Sequence, residues 1–342
     1  MSEEVPGFWV ALARWSGRFD PRPLFTALGG PQAASRASPR ALLRAGAPPG
    51  LVQHVREAEA VPTGDPWMHL GQPDYPAALL DLGRPPPVLW YRGRIAALRS
   101  PGVAIVGARR CTPYGRGVAG RLGAAVVQAG GVMVSGAARG IDAAAHRGAL
   151  AVGPETVAVL GAGLAYRVVG AAAQLLRDLV AEGGLLLSEM PPTDPPTRYT
   201  FPRRNRIIAA LARATVVVEA AERSGALITA GFARDLGRDV LAVPGRIDAP
   251  ASAGTLALIE EGAILLRSPA QLTALLPERH PERLATALRR PASAAQVARV
   301  LGVGIPEALR LLAGLELTGT VRRLADQRYV LSSDPPPGHP DP

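Results

Sequence analysis

Short apolar runs separated by stretches of helical period organise the middle of the chain. The runs lie over 103–107, 132–135, 156–161, 185–189, 215–220, 240–243 and 263–266, each bounded by glycine, proline or polar residues. Between them, helical patterns run over 116–128, 143–150, 174–182, 205–212 and 226–236. Apolar strands alternating with helices predict a parallel, doubly wound α/β sheet covered on both faces. In such sheets the ligand crevice lies beyond the carboxyl ends of the strands, so the loops after the strands hold the candidate chemistry.

This α/β block occupies 66–276. Over 1–65, short helical patterns are broken by Gly29-Gly30-Pro31, Ser38-Pro39 and Gly46-Ala47-Pro48-Pro49-Gly50. Leu24, Phe25, Leu28, Ala34, Leu42, Leu43, Leu51 and Val55 are the expected core of a small all-helical domain of helix-hairpin-helix type, serving as a docking module or a DNA contact. After the Leu276-Pro277 break, residues 281–331 show two helical patterns around Gly302-Val303-Gly304, then an alternating stretch from Val321 to Leu331. That order predicts a winged helix, a fold that serves both DNA binding and protein docking. The proline-rich residues 332–342 predict a disordered tail.

Charge narrows the function classes. The 342 residues carry 38 basic and 28 acidic side chains, a net charge of +10, and every basic residue is arginine. A chain without lysine has no P-loop lysine and no Schiff-base amine. A basic surface favours a polyanionic partner such as nucleic acid. Cys111 is the only cysteine, which excludes a disulfide framework and a cysteine metal cluster. The chain shows neither a basic-then-apolar leader nor an apolar run of about 18 residues, so a cytoplasmic protein without membrane contact is expected.

Gly107-Ala108-Arg109-Arg110-Cys111 follows the first strand and leads into a helix, where a tight turn and helix N-terminus favour an anion. It lacks the second glycine of the dinucleotide fingerprint, and Gly161-Ala162-Gly163-Leu164-Ala165-Tyr166 has tyrosine where the third glycine belongs, so no NAD or FAD is expected. Ser135-Gly136-Ala137-Ala138-Arg139 offers small residues for close backbone approach and a guanidinium for a phosphate. Asp142 and His146, four apart on one helix face, suit a proton relay, half a metal site or a local hydrogen bond that fixes the helix. No third metal ligand is evident nearby, and no metal or other cofactor is expected. Ser224-Gly225 opens a helix whose amides could face a phosphate. Glu189 and Glu219, at strand ends, suit a general acid and base or partners for guanidinium groups.

The densest signal is Phe201-Pro202-Arg203-Arg204-Asn205-Arg206-Ile207-Ile208. Three arginines at one helix N-terminus oppose the helix dipole unless an anion is present. Guanidinium forks grip phosphates, and a ring at the same place stacks on a base. The alternative is a solvated helix face with ion pairs.

Together these stretches resemble the DNA processing protein A (DprA/Smf) family over about 70–267. The resemblance rests on Tyr75-Pro76 with Pro85-Pro86-Pro87-Val88-Leu89-Trp90-Tyr91-Arg92-Gly93, on Val103-Ala104-Ile105-Val106-Gly107-Ala108-Arg109, and on the stretch from Ser135 to His146. It continues through Phe201 to Ile208, Ser224 to Ala230, and Val243-Pro244-Gly245. It implies an extended Rossmann-like, doubly wound, mostly parallel sheet, a homodimer formed through it, and single-stranded DNA binding without catalytic residues. It further implies protection of incoming DNA in natural transformation and loading of the RecA recombinase. By motif position Arg109 would be the principal phosphate contact and Phe201 the stacking residue, with Arg198, Arg203, Arg204, Asn205 and Arg206 lining the same groove. Ala108 stands where the family has a hydroxyl or small polar residue. The competing reading of the residues is a nucleotide-processing hydrolase on a similar sheet, with Glu189, Glu219 or Asp142 as acid or base; a pure scaffold is the third.

Overall fold

The computed structural model describes residues 3–276, 287–301, 305–317 and 320–332. The chain divides into two compact units, Met1–Pro277 and Glu278–Pro342.

The first unit is built on nine strands: β3 (Trp67–His69), β4 (Val88–Gly93), β5 (Gly102–Val106), β6 (Val132–Ser135), β7 (Thr156–Leu160), β8 (Leu185–Ser188), β9 (Ala212–Val217), β10 (Asp239–Ala242) and β11 (Ile264–Leu265). Their spatial order is β11-β10-β9-β5-β6-β7-β8-β4-β3. From β11 to β8 every pairing is parallel, and β8–β4 and β4–β3 are antiparallel. The fold is the expected Rossmann-like α/β sheet. The antiparallel edge was not evident as strands, because β3 is only three residues long and β4 follows Pro85-Pro86-Pro87.

Alternation along the strands explains the two covered faces. Val103 and Ile105 of β5 pack in one core with Met133, Ala214 and Val216. Ala104 and Val106 pack in the other with Val134, Val157 and Val217. The connecting helices are α6 (Pro113–Gln128), α7 (Ile141–Leu150), α8 (Gly170–Ala181), α9 (Thr200–Ala210), α10 (Gly225–Asp235), α11 (Ala253–Glu260) and α12 (Pro269–Thr273). Leu122 and Val126 of α6 and Ala145 and Ala149 of α7 cover the first core, while Ile207 and Ile208 of α9 and Ala226, Ala230 and Ala233 of α10 cover the second.

The order of strands reverses at β5. Its neighbours are β6, the next in sequence, and β9, reached only after three further strands. The carboxyl ends of β5 and β9 therefore form the switch point where such sheets open a crevice.

Before the sheet lie five short helices: α1 (Gly7–Arg14), α2 (Arg22–Leu28), α3 (Pro31–Ser35), α4 (Pro39–Arg44) and α5 (Pro49–Glu57). A two-stranded antiparallel ribbon, β1 (Glu3–Val5) with β2 (Val61–Thr63), ties their two ends together. Leu24, Phe25, Ala34, Leu42 and Leu51 are buried as expected, whereas Leu43 is exposed. Phe8, Trp9 and Leu12 of α1 complete this core, which is continuous with that of the sheet.

In the second unit, α13 (Ala294–Leu301) and α14 (Ile305–Leu317) precede an antiparallel hairpin of β12 (Val321–Arg323) and β13 (Tyr329–Leu331). Leu288, Val297, Ala298, Ala308, Leu312, Val321 and Tyr329 form its core. Of the expected tail, 333–342 lie outside the described residues.

Candidate nucleic-acid interface

A cleft of about 410 Å³ opens at the switch point. Its walls are Val106, Gly107 and Arg109 after β5, Ala138 and Asp142 at the start of α7, and Arg198, Phe201, Pro202, Arg204, Asn205 and Ile208 on and before α9. Ser224, Gly225, Ala226, Ile228 and Thr229 of α10 close it. Three guanidinium groups thus stand against the single carboxylate of Asp142.

Each wall is fixed by local chemistry. Thr112 caps α6 by accepting from the Gly115 amide (3.1 Å), and Pro113 follows at the first helical position. Glu219, at the end of β9, accepts from the Thr112 amide (2.9 Å) and the Thr112 hydroxyl. The Ala108 amide donates to the Glu219 carbonyl (2.7 Å), and the Ile141 amide donates to the Ala108 carbonyl (3.2 Å). Gly140, at φ +86°, allows that approach, since a β-carbon there would strike the Ala108 carbonyl oxygen. Arg109 is left exposed at the mouth, its guanidinium 5.1 Å from the centroid of the Phe201 ring. Ser224 caps α10 by accepting from the Ala226 amide (3.3 Å), so the positive end of that helix dipole faces the cleft.

The floor holds a buried charge. Arg204 donates to the carbonyls of Gly136 (2.8 Å) and Val159, and to Asn205 Oδ1 (2.9 Å). Gly136 is required there, because a β-carbon would overlap the guanidinium. Burial pushes the Arg204 guanidinium down to about 10, with Asp142 opposing and Arg109 adding to the shift. It still carries its charge at neutral pH. Asp142 accepts from the amides of Gly136 (3.1 Å) and Ala138 (3.4 Å); burial raises its pKa, and Arg204 and those amides oppose the rise. His146 is fully buried with Nδ1 2.8 Å from the Thr156 hydroxyl, and burial, reinforced by Arg204, lowers its pKa to about 3. Asp142 and His146 each hold a partner of their own. Among the described residues no group of three or more His, Cys, Asp or Glu side chains is placed to hold a metal ion.

Eight sequence-predicted residues meet in the cleft: Gly107, Arg109, Arg198, Phe201, Arg204, Asn205, Ser224 and Gly225. Ala108 lies beside it with both backbone groups engaged. Arg110 and Arg139 are exposed on the adjoining loops but do not line it. The structure does not bring Ser135, Gly136, Arg203 or Arg206 to its surface. Ser135 is buried and donates to the Ile105 carbonyl (2.6 Å), and Gly136 lies beneath Arg204. On a helix each residue turns about 100°. Phe201, Arg204, Asn205 and Ile208 therefore share one face of α9, and Arg203 and Arg206 occupy the opposite one. There Glu189 accepts from Arg203 Nε (3.1 Å) and Arg206 Nη2 (2.5 Å) and from the hydroxyl of Ser16, which follows α1. Glu189 thus takes the guanidinium-partner role, while the partner of Glu219 is Thr112. Ile228 and Thr229 also line the cleft, and a helical projection of 225–229 from Ser224 offers both.

A doubly wound, mostly parallel sheet with a basic cleft at its switch point defines a Rossmann-like α/β protein. The sequence profile described as DNA recombination-mediator protein A matches residues 67–277, and the chain belongs to that family. It is 46% identical to Protein Smf of Synechocystis over 208 residues, which cover 60% of this chain and 52% of that protein. It is 45% identical to Protein Smf of Escherichia coli over 199 residues, 58% of this chain and 53% of that one. The chain therefore spans about half the length of these two relatives. The X-ray structure of DNA processing protein A from Streptococcus pneumoniae superposes with a TM-score of 0.69 at 31% identity, covering 80% of this chain and 99% of that one. DNA processing protein A from Helicobacter pylori, whose structure is described for its single-stranded DNA binding mode, gives 0.56 at 29% identity over 62% of this chain and 95% of that one. Among the described residues no helix is long and apolar enough to cross a membrane.

Proposed function

We propose that the cleft holds the backbone of single-stranded DNA, with Arg109 and Arg198 on phosphates and Phe201 beneath a base. The observation that carries this reading is the placement of two exposed guanidinium groups and an aromatic ring around one helix N-terminus at the switch point. Phosphate grip together with a stacking platform is the physical requirement for binding a single strand without sequence preference. The described binding mode of the Helicobacter relative supports it.

The protein acts by binding rather than catalysis. Glu189, Glu219 and Asp142, the carboxylates a hydrolase would use, are each engaged in holding helices and loops, which supports a binding role. By likeness to its relatives, the protein protects incoming single strands in the cytoplasm during transformation and recombination. It does so as a homodimer formed through the α/β unit, and it loads RecA recombinase onto the strand.

A competition experiment tests the reading. A labelled single-stranded oligonucleotide is displaced by unlabelled single strands of increasing length, by duplex and by mononucleotide. The expected order is long single strand, short single strand, then duplex, with mononucleotide weakest. Mononucleotide binding as tight as oligonucleotide binding would instead indicate an enzyme-like pocket.

A further inference from the structure

We infer that Glu219 is a positioning residue for the Arg109 phosphate contact, holding the loop that carries Arg109 at both of its ends; this rests on the single-strand reading above. Glu219 is buried just past β9, and its main chain is fixed on either side. The Val218 amide donates to the Val106 carbonyl (3.1 Å), and the Ala220 amide donates to the Ala251 carbonyl (2.8 Å). From that base one residue reaches both ends of the loop. Its carbonyl accepts from the amide of Ala108, directly before Arg109 (2.7 Å). Its carboxylate accepts from the amide (2.9 Å) and the hydroxyl of Thr112. Only Arg109, Arg110 and Cys111 lie between the two anchors.

The carboxylate also answers the charge of the helix start. The first turn of α6 has no acidic residue, so the anion that its N-terminus favours is supplied from the end of β9. The group is packed closely there: a β-carbon at Gly115 would overlap the Glu219 carboxyl group. The Arg109 side chain rests on the Phe201 ring, so the backbone of the loop sets where its guanidinium stands. A loop held in its binding position beforehand spares the incoming strand the cost of ordering it.

The test is a double-mutant cycle on the full chain with a thymidine oligonucleotide. Binding is measured by fluorescence anisotropy for wild type, Glu219→Ala, Glu219→Gln, Arg109→Ala and the Glu219→Ala/Arg109→Ala double variant, with thermal melting to verify folding. Glu219→Ala is expected to weaken binding about two- to tenfold, the range for leaving one long side chain to be ordered on binding. In the Arg109→Ala background the same change should cost less than about 1.5-fold, because the residue it positions is gone. Glu219→Gln retains wild-type affinity within about twofold, since its amide oxygen can accept from the Thr112 amide and its NH2 can donate to the Thr112 hydroxyl oxygen. Should melting show Glu219→Ala unfolded at the assay temperature, Thr112→Ala, which removes the hydroxyl that donates to Glu219, takes its place in the cycle with the same expectation. An equal loss in both backgrounds would overturn the positioning role, and so would a loss in Glu219→Gln as large as in Glu219→Ala. No loss in Glu219→Ala while Arg109→Ala binds weakly would also overturn it and leave the cleft reading intact. No loss in either variant would overturn the Arg109 phosphate contact itself, and the positioning role with it.

Discussion

The Arg109 guanidinium lies over the Phe201 ring, 5.1 Å from its centroid, and so joins the loop after β5 to helix α9 across the mouth of the cleft. One residue carries the charge a phosphate needs and the other the surface a base needs. The two groups cover each other. On the proposed reading, a strand that takes both would separate them, with the phosphate drawing the guanidinium and the base taking the ring face.

Phe201→Ala should therefore cost about 1–3 kcal/mol of single-strand binding, the range for loss of one base–aromatic stack. The salt dependence should hardly change, because no ionic contact is removed. Titrations at two or more salt concentrations check both halves. A loss below a few tenths of a kcal/mol would remove Phe201 from the stacking role.

Glu189 is buried against Arg203 and Arg206. Glu189→Gln leaves two guanidinium groups without their counter-charge and should destabilise the protein by about 3–5 kcal/mol in chemical denaturation. Arg206→Ala should likewise lower stability, yet leave the salt slope of single-strand binding unchanged. A shallower slope in that variant would return Arg206 to the phosphate contacts.

His146 sets a pH dependence of stability. Its folded pKa, about 3, lies far below its ordinary value, so below about pH 6.5 the unfolded chain binds more protons than the folded one. The sign follows: the contribution is fully present above about pH 6.5 and is lost as pH falls toward 3, at about 1.4 kcal/mol per pH unit. Asp142, with a raised folded pKa, acts in the opposite sense, stability rising as it takes up its proton. The difference between wild type and His146→Gln isolates the histidine. Denaturation curves between pH 7 and 4.5 should be steeper in pH for wild type than for the variant; parallel curves would contradict the buried neutral imidazole.

Most of the sheet was legible because each parallel strand is buried on both faces and reads as an unbroken apolar run, as Val103 to Val106 do. The antiparallel edge was not, since Trp67–His69 is too short to show alternation. In the cleft, glycine turns and helix starts located Gly107, Arg109, Ser224 and Gly225. Charge alone makes the arginines of 203–206 one group, but helical phase divides them between two faces of α9. Only Arg204, sharing a face with Phe201 and Ile208, reaches the cleft. The partners of the other two, Glu189 and Ser16, are 14 to 190 residues away in sequence. Pairing at that range is set by the fold and leaves no local mark on the sequence.

The most direct measurement is the salt dependence of single-strand affinity for wild type and Arg109→Ala. If Arg109 holds a phosphate, the variant binds more weakly, and the slope of log affinity against log salt becomes shallower by about 0.7. An unchanged slope and affinity would contradict a phosphate contact at Arg109 and place the strand elsewhere on this basic chain.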